Sequence, residues 1–145
     1  MAVNRNGTSH RVNVVFDTNA LMMPAQFGVD LFGGLTELLG GYDAWVLPEV
    51  VSELRGLTNG FGKNAAAARF GLTVAARCKL LEPWDEDIPV DDKVVANARE
   101  INAVVVTNDR ELKKKLIDQQ IAVVVLRSHR QAVSGLLQPH FSWMR

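Results

Sequence analysis

Apolar and polar positions fall in blocks along this chain. Arg11-Val-Asn-Val-Val-Phe16 is rich in β-branched residues and stops abruptly at Asp17-Thr18-Asn19, the pattern of a buried strand running into a polar loop. Helical spacing follows from about Leu21 to Leu39, with an expected break near Pro24 and Gly28 and an end at Gly40-Gly41. Ala44-Trp-Val-Leu47 reads as a second strand, and Pro48 suits the first turn of a helix from Glu49 to Leu57. Asn59-Gly-Phe-Gly62 is a turn. An alanine-rich helix then spans about Asn64 to Arg77, and Lys79-Leu-Leu-Glu82 is a short third strand. After an acidic loop from Pro83 to Pro89, Asp91-Asp92 opens a helix that ends near Asn102. Ala103-Val-Val-Val-Thr107 is a fourth strand, Asn108-Asp109 starts a helix that runs to about Gln119, and Ile121 to Leu126 is the last strand. From Ser128 to Arg145 the pattern is less regular. Phe141 and Trp143 in that tail are expected to pack on the body or on another subunit.

Strands that are continuous apolar runs, alternating with helices, predict an α/β fold with a short parallel sheet buried on both faces. The 145 residues, 48% of them hydrophobic, are enough for one real core. We expect a single domain over 1–145, with its core at about 12–127 and a tail at 128–145. The formal net charge of zero does not announce a nucleic-acid binder. RNA binding would need a local basic patch and a metal to offset the acids. The single cysteine, Cys78, rules out an internal disulfide and reads as a small buried hydrophobe in a reducing compartment. The N-terminal stretch lacks the apolar segment of a signal peptide, and no apolar run approaches the ~20 residues of a membrane span. The expected location is therefore the cytoplasm, away from membranes.

Two strands end alike, in Phe-Asp17-Thr18-Asn19 and in Val-Thr107-Asn108-Asp109. In open parallel sheets, ligands bind beyond the carboxyl ends of the strands, where strand order reverses. If the first and fourth strands are neighbours, Asp17 and Asp109 converge there. Glu53 lies on the helix after the second strand, and Asp91 and Asp92 lie at the start of the helix before the fourth. Packed carboxylates repel one another and resist ionisation. A divalent cation removes that cost, and hard oxygen donors suit Mg²⁺ or Mn²⁺. Bound metal can activate water and stabilise the leaving oxygen of a phosphodiester. Each acid also has a plainer reading. Asp17 can simply begin a loop, and Asp109 can complement a helix dipole in a capping pair of Asn108 with Glu111. One of Asp91 and Asp92 can be an N-cap. Glu53 can be a solvated helix residue, with Glu49 one turn earlier as the rival for its role. The functional case rests on the four together.

At these residues the chain resembles the PIN-domain family of nucleases. The matching pieces are VVFDTN, PEVVSEL, VDDKVVANA and VVVTNDRELKKKL, in the family's order and spacing, over roughly Val12 to Arg127. The resemblance implies a three-layer α/β/α sandwich and a metal-dependent endoribonuclease. It marks Asp17, Glu53 and Asp109 as site acids and takes a fourth from Asp91 or Asp92, with the spacing to Ala98 and Thr107 favouring Asp91. Catalysis would then fall to Asp17, Glu53, Asp91 and Asp109, and metal binding to Asp17, Asp91, Asp92 and Asp109. Thr18, Asn19, Thr107 and Asn108 match supporting polar positions. Within the family, TNDRELKKKL is more similar to the archaeal and ribosome-processing branch than to the VapC-type toxins. The tail after Arg127 is outside the resemblance.

Phosphates need cations. Arg110, Lys113, Lys114 and Lys115 follow Asp109, and of these Arg110 and Lys114 are the leading candidates for substrate contact. Arg127 and Arg130 follow the last strand, and Lys63, Arg69 and Arg77 accompany the alanine-rich helix. The resemblance implies a homodimer or higher homo-oligomer, with Met22, Met23, Phe27 and Phe32 as core or interface. It also implies RNA as substrate, and an antitoxin or a ribosome-assembly factor as partner. The alternative is a non-catalytic RNA-binding or assembly module. A phosphotransfer domain with Asp17 as nucleophile ranks last, because Thr18 and Asn19 stand where a second acid would be wanted.

Overall fold

The structure, a computed structural model, describes residues 11–84, 86–127 and 136–140. The elements are β1 (Val12–Phe16), α1 (Thr18–Phe27), α2 (Leu31–Leu39), β2 (Tyr42–Val46), α3 (Pro48–Leu57) and α4 (Gly62–Ala75). They continue with β3 (Lys79–Leu80), α5 (Val90–Glu100), β4 (Val104–Val106), α6 (Arg110–Asp118), β5 (Val123–Arg127) and β6 (Leu136–His140).

The strands form one sheet in the order β3-β2-β1-β4-β5-β6. The first five are mutually parallel, as their apolar runs predict. Val14, Val15 and Phe16 are consecutive and fully buried, and Val104 to Val106 are buried as well. Side chains alternate across a strand, so both faces of the sheet are covered. The chain adds β2 and β3 on one side of β1, then crosses back to place β4 and β5 on the other. Right-handed crossovers in opposite directions put α1 to α4 on one face and α5 and α6 on the other, which gives the three-layer α/β/α arrangement.

Three expectations change. The helix does not break at Pro24. Pro24 costs one intrahelical bond, but Ala20, Leu21, Met22 and Met23 are buried and hold α1 through to Phe27. Gly28 then ends the helix in the left-handed conformation, with φ +64°, and its N–H bonds to the Pro24 carbonyl. The third strand is only two residues long, Lys79–Leu80. The tail is not irregular throughout. Residues 136–140 add an antiparallel edge strand to β5, and an edge tolerates Pro139, which has no N–H to donate. Phe141, Trp143 and Arg130 lie outside the described residues.

Helices α1, α3 and α4 pack tightly where α4 has glycine. A Cβ on Gly71 would meet Leu54 Cδ2 at 3.1 Å and the Leu21 carbonyl oxygen at 3.3 Å. That close approach carries the α3 and α1 walls of the site on one rigid layer. Cys78 is half-buried, and burial pushes its thiol up to about 11, so it is inert as a nucleophile. Among the described residues, no helix is long and apolar enough to cross a membrane.

Candidate active site

Strands β1 and β4 are direct neighbours, with Phe16 opposite Val106. The chain reverses its direction of travel across the sheet between them, so the polar residues that end both strands meet at the switch point. A cleft of about 820 Å³ opens there. Asp17, Thr18, Asn19, Glu49, Glu53, Asp91 and Asp109 supply its polar wall, and Met22, Val50, Leu57, Val90 and Val94 its apolar wall.

Asp17 is the buried member, 8% exposed. It is the N-cap of α1, and its Oδ1 accepts the Ala20 N–H at 2.9 Å. Its Oδ2 accepts the hydroxyl of Thr107, which is fully buried. Burial still prevails and pushes the Asp17 carboxyl up to about 7. The bonds from Thr107 and Ala20 act against that shift, and the charges of Asp109 and Asp91 add to it.

Asp109 caps α6, with its Oδ1 on the Leu112 N–H at 2.9 Å. The sequence pattern places Asp109 in the first turn behind an Asn108–Glu111 capping pair; the N-cap is instead Asp109 itself, a role that coexists with its place on the cleft wall. Asn19 reaches the same loop, accepting the Asn108 backbone N–H at 3.4 Å.

The two adjacent acids of α5 part company. Asp91 lines the cleft, and its carboxyl is held above the usual range by burial first and by Asp109 next. Asp92 instead pairs with Lys115 at 3.1 Å. Neither is the N-cap, since that position belongs to Pro89.

On α3, Glu53 accepts the Thr18 hydroxyl at 2.6 Å, which ties it to the residue after Asp17. Glu49 lines the same cleft, but its Oε2 is bound to Lys93 at 2.8 Å, while its buried Oε1 has no hydrogen-bond partner among the described residues. That ion pair keeps the Glu49 carboxyl below its usual range.

Arg110 and Lys114 sit exposed on α6, outside the cleft wall. Lys93 was not among the sequence candidates. Its signal was a lysine at the N-terminal end of a helix, where the dipole disfavours a cation unless a counter-charge holds it.

The PIN-like domain family matches residues 14–129. Ribonuclease VapC9 of Archaeoglobus fulgidus is 30% identical over 134 residues, covering 90% of this chain and 96% of that protein. The PIN domain endonuclease Utp24 is similar in structure, with a TM-score of 0.66 at 22% identity, covering 89% of this chain and 92% of that one. At that identity the Utp24 likeness speaks for the fold. The family match spans all four acid-bearing segments at the switch point, and this chain belongs to the PIN-like domain family.

Proposed function

We propose that the chain is a metal-dependent endoribonuclease whose site acids are Asp17, Glu53, Asp91 and Asp109. One observation carries the reading. A carboxyl pushed up to about 7 by burial, with two further acids raising it, is a standing cost to the fold. A non-catalytic module would have no use for that cost, whereas a cation site does.

The donor set fits a hard divalent ion in type. Every polar wall residue offers oxygen or amide donors, which suits Mg²⁺ or Mn²⁺. Among the described residues, no three acid, histidine or cysteine side chains close on one point. That openness suits Mg²⁺, which keeps several waters and takes one or two carboxylates together with substrate phosphate. One or two of Asp17, Asp91 and Asp109 would ligate the ion directly and the rest through its waters, while Asp92 is committed to Lys115. When bound, such an ion lowers the pKa of a water and stabilises charge on a phosphodiester oxygen.

The chain's own residues supply the rest. Asp17 is fixed in orientation by Thr107 and Ala20. Glu53, steadied by Thr18 beside Asp17, would orient an attacking water or take its proton. Leu57, Val90 and Val94 give the cleft an apolar flank. Arg110 and Lys114, exposed on the helix that Asp109 caps, would take phosphates flanking the cut.

RNA is the substrate class in this reading. The cell compartment is the cytoplasm, and the working form is a homodimer or higher oligomer. The setting is RNA processing with a ribosome-assembly partner, or a VapC-like toxin with its antitoxin. The test is cleavage of a mixed RNA pool with Mn²⁺, with Mg²⁺ and with EDTA, beside Asp17→Asn. Metal-dependent cutting that disappears in the variant is the expected result. Cutting that persists in EDTA, or in a folded Asp17→Asn, removes the proposal.

A further inference from the structure

A second concave surface lies at the opposite ends of the strands. The residues that lead into β1, β2 and β3 line a pocket of about 500 Å³ that includes Arg11, Phe32, Tyr42, Asp43, Arg77 and Lys79. Its charge is the reverse of the acid cleft, with three cations facing one acid. Asp43 is shared by Arg11 at 2.9 Å and Lys79 at 3.6 Å, and Arg11 also donates to the Tyr42 carbonyl.

Those contacts give Arg11 a structural role, while Lys79, 3.6 Å from Asp43 and 58% exposed, keeps donors open to solvent. They leave Arg77 unexplained. Its guanidinium lies 5.1 Å from the centroid of Phe32, whose ring stacks on Tyr42 at 6.5 Å and 6°. Among the described residues the Arg77 side chain makes no hydrogen bond or ion pair. A guanidinium has five N–H donors in a planar fork that matches phosphate oxygens. Here it is exposed, held over an aromatic ring, and beside a second cation.

The acid cleft gives this pocket a use. A polyanion is repelled by four or five carboxylates, and two lysines near that cleft are already committed, Lys93 to Glu49 and Lys115 to Asp92. Binding energy for RNA must come in part from elsewhere. Single-strand sites combine cations with planar groups on which bases stack, and arginine planes serve that purpose.

We propose that the Arg77–Lys79 pocket is a distal anchor for the single-stranded RNA that reaches the acid cleft, with Arg77 and Lys79 taking phosphates and the Arg77 plane taking a base. RNA as the ligand rests on the nuclease reading. The two ends of β1 are about 16 Å apart at a strand rise of ~3.3 Å per residue. β1 is buried, so the RNA passes around the sheet by a longer path, and only a stretch toward the upper end of the ~4–16 nucleotides usual for single-strand sites covers it.

The test compares the intact protein with Arg77→Gln, Lys79→Gln and the double variant, all checked by thermal melting. Glutamine keeps a polar stem at each position and removes the charge, with the long Lys79–Asp43 pair lost as well. Fluorescence anisotropy of a labelled 16-nucleotide unstructured RNA is read in an Asp17→Asn background, across salt. The double variant should bind about tenfold more weakly, with a log–log salt slope lower by about 1.4, since each of the two single-strand phosphate contacts contributes ~0.7. With Asp17 intact, cleavage of a 4-nucleotide RNA should be unchanged, because that substrate cannot span both sites. Arg77→Lys should keep the slope.

Unchanged 16-nucleotide affinity and slope in the folded double variant overturns the anchor, and so does an equal loss on the 4-nucleotide substrate. If the wild type cuts no RNA yet binds the long one through Arg77, the nuclease reading fails and the anchor stands. If it cuts while binding ignores Arg77, the anchor alone fails.

Discussion

The Thr107 hydroxyl donates to Asp17 Oδ2 while accepting the backbone N–H of Asp109 at 3.0 Å. One buried side chain just past the end of β4 thus joins the two acids that follow neighbouring strands. It stabilises the ionised form of Asp17 and fixes the turn that presents Asp109.

Thr107→Val keeps the shape and removes both hydrogen bonds. The Asp17 carboxyl then rises above about 7, because its first-ranked lowering influence is gone. The part-buried Asp109 N–H loses its acceptor, at a cost toward the lower end of the ~1–3 kcal/mol of a buried unsatisfied group. We expect a lower melting temperature, and an acidic limb of the cleavage–pH profile displaced to higher pH. An unmoved limb would mean that Thr107 does not tune Asp17.

Asp17→Asn should change the pH dependence of stability in metal-free protein. The folded-state pKa of Asp17 is raised to about 7 from 3.8. The folded chain therefore holds a proton that the unfolded chain has released, and stability falls as pH rises from about 4 to 7. At ~1.4 kcal/mol per unit, the cost approaches about 4 kcal/mol above pH 7. Asparagine does not titrate and still caps the helix. Denaturant unfolding in EDTA at pH 4.5 and 7.5 should show the variant gaining on wild type at the higher pH. A gap equal at both values counts against a buried, protonated Asp17.

Mn²⁺ binding reads the same proton from the other side. A metal must displace it, so binding strengthens as pH rises toward 7. The melting shift with millimolar Mn²⁺ should grow between pH 5.5 and 7.5 and shrink sharply in Asp91→Asn. Asp92→Asn should leave it nearly intact, losing only an exposed pair with Lys115 worth under ~1 kcal/mol. Equal effects from the two neighbours would dissolve the distinction between them.

Glu53→Gln and Glu49→Gln should separate activity from stability. Glu53 is exposed on the cleft wall and held by Thr18, so its loss should cut cleavage at least a hundredfold with little change in melting. Glu49 balances Lys93, whose side chain is 14% exposed, so its loss should lower the melting temperature while cleavage falls only a few-fold. Reversed phenotypes would move the functional acid one helical turn earlier.

Much of this was legible in local pattern. Val-rich runs bounded by polar triplets specify parallel strands, because only buried strands dispense with polar alternation. The two strand-ending triplets pointed to Asp17 and Asp109, and Pro48 marked the start of α3. The tail was not legible. Its Leu136–His140 stretch gains order by pairing with β5, and a non-local hydrogen-bond partner leaves no periodic trace. Pro24 misled for a related reason, since burial of the preceding turn outweighs one lost helical bond.

The sequence by itself determined which residue types were available and which stood at strand ends and helix starts, because these follow from propensity and spacing along one chain. Only the tertiary structure decided how they are divided. It separated Asp91 from Asp92 by supplying Lys115 from α6, separated Glu53 from Glu49 by supplying Thr18 and Lys93, and buried Asp17 against Thr107. Each choice depends on a partner 23 or more residues away, so it is settled by which elements pack together.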